Sequence, residues 1–196
     1  CHSYNGTRLL LTEHLMSLKQ YDFAYGRGRK TFSLDDSDVI ATVRTEEFPV
    51  MADVKAGVLD AVRHPIGCDS LDNIVKPGQT VAFICNDPTR VANSYDFMPV
   101  LVDEMNRLGI KDEDMKIVFS LGSHRDMTHE EMVAAVGEEV ASRLKMYNST
   151  CTVQDDFEYF GKTSRGTPVW INKHLCDVDH VILTGTIVHH YFSGYG

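Results

Sequence analysis

The sequence lacks long apolar runs: near its start the longest is the triplet Leu9, Leu10 and Leu11. A secretory signal core needs about 7–15 such residues and a membrane-spanning helix about 20. Nothing therefore directs the chain to export or to a bilayer, and the cytoplasm, with no membrane partner, is the expected setting. Cysteine is also sparse. The five present, Cys1, Cys68, Cys85, Cys151 and Cys176, are odd in number, widely spaced and without a CxxC pair, which excludes a disulfide framework and a zinc ribbon. Positive charge is in deficit: 19 Lys and Arg against 28 Asp and Glu give a formal net charge of −9. That balance repels phosphate backbones and argues against nucleic acid as a partner. No Walker lysine motif, GxGxxG or HExxH occurs, so the common nucleotide and zinc-protease signatures are missing.

What is present suits a soluble α/β protein. At 196 residues, with 43% hydrophobic and 24% charged, the chain has material for one domain, or one and part of another. Residues 1–22 show no clean period and read as an N-terminal extension without a motif; the domain proper is expected over 23–196. It opens with Cys1 where Met would stand and stops at Gly196 just after Gly194 and Tyr195, so both ends read as cut.

Short strands are expected at 31–34 and 38–43, joined by the acidic turn Asp35, Asp36, Ser37. A helix around 51–63 should end before Pro65 and Gly67. Residues 80–85 form a continuous apolar run of strand length, followed by a polar loop and then a helical pattern over 95–108 that closes at Gly109. Residues 115–120 repeat the strand signal. After a second polar loop, Thr128 with Glu131 three residues on predicts a capping box and a helix closing near Gly137. A third strand is expected at 178–184, and 157–162 with 168–172 read as a hairpin around Gly161, Ser164 and Gly166. Strands alternating with helices predict a Rossmann-like parallel sheet with helices on both faces and right-handed crossovers.

In such sheets ligands bind beyond the carboxyl ends of the strands, so the loops there carry the candidates. The first holds Asp87, Pro88, Thr89 and Arg90. Arginine suits bidentate recognition of a carboxylate or phosphate, and the aspartate suits fixing an imidazole or hydroxyl; an Asp-initiated turn with a surface ion pair accounts for the same residues. The second loop carries His124 just ahead of the capped helix, where an imidazole exchanges protons near neutral pH; a histidine that merely hydrogen-bonds in the loop is the plainer reading. The third carries His189 and His190, of which extended chain would turn at most one toward a cleft. His124 and His190 together, at two strand ends, could serve as acid and base on opposite faces of a substrate carbon. A metal-dependent hydrolase with both as ligands would need a further carboxylate or histidine converging on them. A noncatalytic α/β module binding a nucleotide or an organic acid is the other alternative.

Three ordered motifs carry a resemblance: Asp87-Pro88-Thr89-Arg90; Gly122-Ser123-His124-Arg125 followed by Thr128-His129-Glu130-Glu131; and His190-Tyr191-Phe192-Ser193-Gly194-Tyr195. Pro65-Ile66-Gly67 and Trp170-Ile171-Asn172-Lys173 follow the same order. Over about residues 25 to 196 the chain resembles the N-terminal domain of the nickel-dependent lactate racemase family.

The resemblance implies an isomerase acting on lactate or a related 2-hydroxy acid. It further implies a nickel-pincer nucleotide, a pyridinium mononucleotide whose ring carbon and two sulfurs hold nickel and which accepts hydride from C2 of the substrate. His124 and His190 match the family's acid/base histidines. Asp87 and Arg90 match residues near the substrate, and Thr89, Tyr191 and Gly194 are expected to border the cofactor; no residue of this chain is expected to ligate the metal. The family's anchoring lysine lies in an Arg-Lys pair beyond the third motif and is absent from this chain. A C-terminal domain that closes the cleft is expected as a partner within the same protein, and the fragment alone is expected to be inactive. Val91 and Ser123 stand where the family commonly has a proline and an aromatic, so the substrate is read only as a 2-hydroxy acid.

Overall fold

The computed structural model describes residues 18–44, 46, 49–90, 92–192 and 194–195. They fall into two compact units, Cys1–Val50 and Met51–Gly196. Most of the expected extension, 1–17, lies outside the described residues.

The first unit is a hairpin of β1 (Leu18–Tyr25) and β2 (Gly28–Asp35), paired antiparallel from Leu18↔Asp35 to Tyr25↔Gly28. The turn places Gly26 at φ +57°, the sign a two-residue hairpin turn requires at its first position. Phe23 stacks on Phe32 with ring centroids 4.9 Å apart, and Asp22 accepts from Arg29 and from the Thr31 hydroxyl. Two sequence expectations change here. Residues 18–22 are strand rather than extension, and no strand forms over 38–43. Asp35 caps a short 3-10 turn, Asp36–Asp38, by accepting from the Ser37 amide at 3.0 Å, which breaks the extended run.

The second unit opens with α1 (Val54–Arg63), capped by Asp53, whose carboxylate accepts from the Ala56 amide at 2.9 Å, and the single turn α2 (Leu71–Ile74). Then follow β3 (Val81–Asn86), α3 (Ser94–Arg107), β4 (Met115–Gly122), α4 (His129–Val136), α5 (Glu138–Arg143) and β5 (Lys145–Thr150). An antiparallel hairpin, β6 (Phe157–Lys162) with β7 (Pro168–Asn172), leads to β8 (His180–Leu183) and the short pair β9 (His189–His190) and β10 (Gly194–Tyr195). The main sheet has the order β5-β4-β3-β8 with every pairing parallel. The α/β class with a parallel sheet is therefore as the sequence predicts. Strand β5 and helix α5 are additions to it. Among the described residues no helix is long and apolar enough to cross a membrane.

Alternate residues of β3 and β4 (Val81, Phe83, Cys85; Met115, Ile117, Phe119, Leu121) meet Met98, Leu101, Val102 and Met105 of α3, Val136 of α4 and Val140 of α5 in one buried cluster. Each such side chain taken from water contributes about 1.5–3 kcal/mol. On the other face Ala82 and Val118 are buried as well, which is why both strands read as unbroken apolar runs. There Asn172 donates to Ser149, His174 stacks on Tyr147 at 3.7 Å and Lys116 pairs with Asp177.

The order of strands sets the place of the site. From β3 the chain moves to β4 and β5, then returns to lay β8 on the opposite side of β3. That reversal puts the topological switch point at the carboxyl ends of β3 and β8, the edge at which open α/β sheets bind ligands. Thr184, just past β8, fastens the start of its loop by donating to the Ile84 carbonyl at 2.8 Å.

Candidate active site

Asp87 follows the last residue of β3 and is 8% exposed. One carboxylate oxygen, Oδ1, accepts from the Thr89 amide at 2.7 Å and the Thr89 hydroxyl at 2.6 Å. The Arg90 amide donates to the Asp87 carbonyl at 3.1 Å, closing a turn in which Pro88 fixes the backbone. The other oxygen, Oδ2, lies 2.6 Å from Nδ1 of His124. His124 reaches it from the turn after β4, where Gly122 adopts φ +58° and the His124 amide donates to Leu121 at 3.0 Å.

Burial pulls the Asp87 carboxyl upward, but the Thr89 hydroxyl and amide and the His124 bond outweigh it and hold it below the usual carboxylate range. An ionised carboxylate only accepts. Nδ1 of His124 therefore carries the hydrogen, and the neutral ring keeps its lone pair on Nε2. The His124 side chain is 50% exposed, so a carboxylate-oriented imidazole faces solvent with a proton-accepting nitrogen, the arrangement a general base needs.

Arg90 stands on the same turn. Among the described residues its guanidinium meets only the Thr89 carbonyl and hydroxyl, at 3.4 and 3.3 Å, and has no carboxylate partner. It is thus available to an anionic ligand. Beside it a cavity of about 230 Å³ is bounded by Asn86, Asp87, Arg90, Ser94 and Tyr95 on one side and by Ala134 of α4 on the other. Helix α4 is held in place by the predicted capping box, with Thr128 and Glu131 bonded reciprocally. Arg125 adds two bonds to Glu131, at 2.8 and 2.6 Å. Asn148 of β5 grips both backbone groups of Met127. These last supports were not legible in the sequence, because β5 itself was not.

His190 presents a different environment. It lies in β9, paired with Gly194 of β10, and its Nδ1 accepts from the Phe192 amide at 3.1 Å. Its neutral tautomer therefore carries hydrogen on Nε2. The ring stacks on Tyr191 at 4.7 Å, while Tyr191 and Phe192 are 82% and 83% exposed. His189 packs edge-on against Tyr195, so the two adjacent histidines take different surroundings, as extended chain requires. The structure thus joins Asp87, Thr89, Arg90 and His124 in one hydrogen-bonded group. His190, Tyr191 and Gly194 sit on a separate loop, and no hydrogen bond or ring contact links them to that group among the described residues. Those residues also hold no cluster of three or more His, Cys, Asp or Glu suited to a metal ion.

Comparison with known proteins identifies the class. The profile of the lactate racemase N-terminal domain matches residues 25–196, and the chain belongs to that family. It is similar to the lactate racemase of Thermoanaerobacterium thermosaccharolyticum, with 26% identity over 176 residues, covering 89% of this chain and 41% of that protein. It is also similar to the lactate racemase of Lactiplantibacillus plantarum, with 28% identity over 132 residues, covering 67% of this chain and 31% of that protein. The solved structure of the Thermoanaerobacterium thermosaccharolyticum lactate racemase apoprotein superposes with a TM-score of 0.76 at 25% identity, over 91% of this chain and 41% of that one. The chain therefore spans less than half the length of the relatives it matches.

Proposed function

We propose that this chain forms the N-terminal catalytic half of a lactate-racemase-like enzyme that interconverts the two hands of a small 2-hydroxy acid. The observation that carries the reading is the 2.6 Å contact between the buried Asp87 carboxylate and His124 at the carboxyl end of the sheet, in a chain of the lactate racemase N-terminal family. Asp87 stays ionised, fixes the His124 ring and stabilises the imidazolium when Nε2 takes the substrate's hydroxyl proton. Arg90 holds the substrate carboxylate or the oxygen on which charge develops. His190 serves the opposite face of the substrate carbon. There it returns the hydroxyl proton as the imidazolium and takes it as the neutral ring, the Phe192 amide bond to Nδ1 giving way as the ring changes protonation. Removing the hydroxyl proton by a positioned imidazole is worth about 10²–10⁴-fold in rate.

The proposed cofactor is the nickel-pincer nucleotide. The described residues fit it: the exposed rings of Tyr191 and Phe192 offer planar surfaces to a pyridinium, and a group that brings three of its own metal donors needs no cluster of three protein ligands. Tyr191, Gly194 and Thr89 would border it. When bound, it supplies the acceptor and donor of hydride for the substrate's C2. A second domain of the same polypeptide would close over the site and exclude water, and the setting proposed is the cytoplasm, without nucleic acid or membrane partners.

The test is chiral chromatography of a panel of 2-hydroxy acids incubated with the full-length, cofactor-loaded protein. At least one member should reach a racemic or epimeric mixture from either hand. Tight binding of an organic acid with no interconversion across the panel would favour a noncatalytic module instead.

A further inference from the structure

We infer that Thr89 is a positioning residue for the proton carrier, locking the Asp87 carboxylate so that only one oxygen faces His124 and the imidazole keeps a single tautomer. The inference rests on the reading of His124 as the carrier. Thr89 puts two donors, the amide at 2.7 Å and the hydroxyl at 2.6 Å, on Oδ1, while among the described residues His124 alone takes Oδ2. A carboxylate turns easily about its last side-chain bond, since torsions of that kind have broad wells. Two donors converging on one oxygen remove that freedom. Pro88 presets the turn and Thr89 is β-branched, so its hydroxyl has few alternative directions. The same hydroxyl lies 3.3 Å from Nη1 of Arg90, and Thr89 thereby touches both groups assigned to the substrate while its own hydrogen is turned inward.

Among the described residues nothing else is bonded to Oδ1. The Asp87 side chain is 9% exposed, so water does not readily replace a lost donor. Without the hydroxyl, the amide alone retains Oδ1, the carboxylate swings, and the proton on His124 redistributes between Nδ1 and Nε2.

The experiment uses the full-length protein with ¹⁵N-labelled histidine, read by long-range ¹H–¹⁵N spectra at a pH where the ring is neutral. The native protein should show His124 as the Nδ1–H form. Thr89→Val should lower that tautomer preference about 10-fold, the loss of one hydrogen bond to a charged group, and Thr89→Ser should restore it. Racemisation by the loaded enzyme should fall by a similar factor in Thr89→Val and recover in Thr89→Ser. A native tautomer ratio in Thr89→Val, or failure of Thr89→Ser to restore it while the amide spectrum stays native, overturns the inference. A shifted tautomer with unchanged racemisation upholds the positioning of the ring and instead removes His124 from the proton-carrying role.

Discussion

His124 and His190 are the same residue type at two loops of the same sheet edge, yet the protein treats them differently. His124 answers to a buried carboxylate from another strand, 37 residues away; His190 answers to a backbone amide two residues away and to aromatic rings beside it. The first ring is left with an accepting Nε2, the second with a donating one. The two environments thus fix different tautomers of the neutral rings, one through tertiary packing and the other through a local turn.

The sharpest way to break that contrast is Asp87→Asn. The amide keeps size and polarity but can offer a donor to Nδ1, inverting the His124 tautomer while leaving His190 untouched. Turnover by the loaded full-length enzyme should fall by about 10²–10⁴-fold, with the His190 resonances unmoved. A loss below 10-fold would mean that the carboxylate does not orient the ring.

The same pair should appear in acid stability, with a definite sign. Burial acts to raise the Asp87 carboxyl, but the Thr89 and His124 bonds hold it below the usual 3.8 in the folded state. A depressed carboxyl stabilises the fold fully above its unfolded value and loses that contribution as pH falls through the lowered folded value. Urea midpoints of the native protein and Asp87→Asn should therefore differ above pH 3.8 and converge below it. A gap that persists unchanged in strong acid would contradict the ionised state.

The strands that bear the site were legible because they are buried on both faces and so read as apolar runs: β3 and β4 fall where the sequence predicts them. The capping box was legible too, since its chemistry is local, and the hairpin of β6 and β7 has the predicted bounds. What escaped was structure without such a signature. Strand β5 lies at the sheet edge, and Met146 and Tyr147 stand among Lys145, Asn148, Ser149 and Thr150, leaving no apolar run. Strand β1 mixes aromatics with charges on an exposed hairpin. Asp87, Arg90 and His124 could be picked out by position after a strand, and a role for Asp87 in fixing an imidazole could be anticipated. That Thr89 would turn its hydroxyl inward, and that Phe192 would supply the partner of His190, depends on turn geometry that residue types do not encode.

On the His190 side the expected effects are smaller. Tyr191→Ala removes the ring stacked at 4.7 Å and should cost roughly 0.5–1.5 kcal/mol of local order, read as up to about a 10-fold fall in turnover with the His124 tautomer unchanged. A change in the His124 resonances would show the two loops to be coupled. Smallest of all, Thr184→Val removes the hydroxyl bond to Ile84 and should lower stability by about 1 kcal/mol in urea unfolding; a loss above about 3 kcal/mol would make this anchor more than a loop fastening.

The most direct test replaces each histidine in turn in the full-length, cofactor-loaded enzyme and follows the reaction from both enantiomers. His124→Gln and His190→Gln should each retain the fold by circular dichroism and retain nickel, while interconversion falls by at least about 10²-fold in both directions. Near-native racemisation by either variant, with the cofactor in place, would contradict the assignment of these two rings as the acid/base pair.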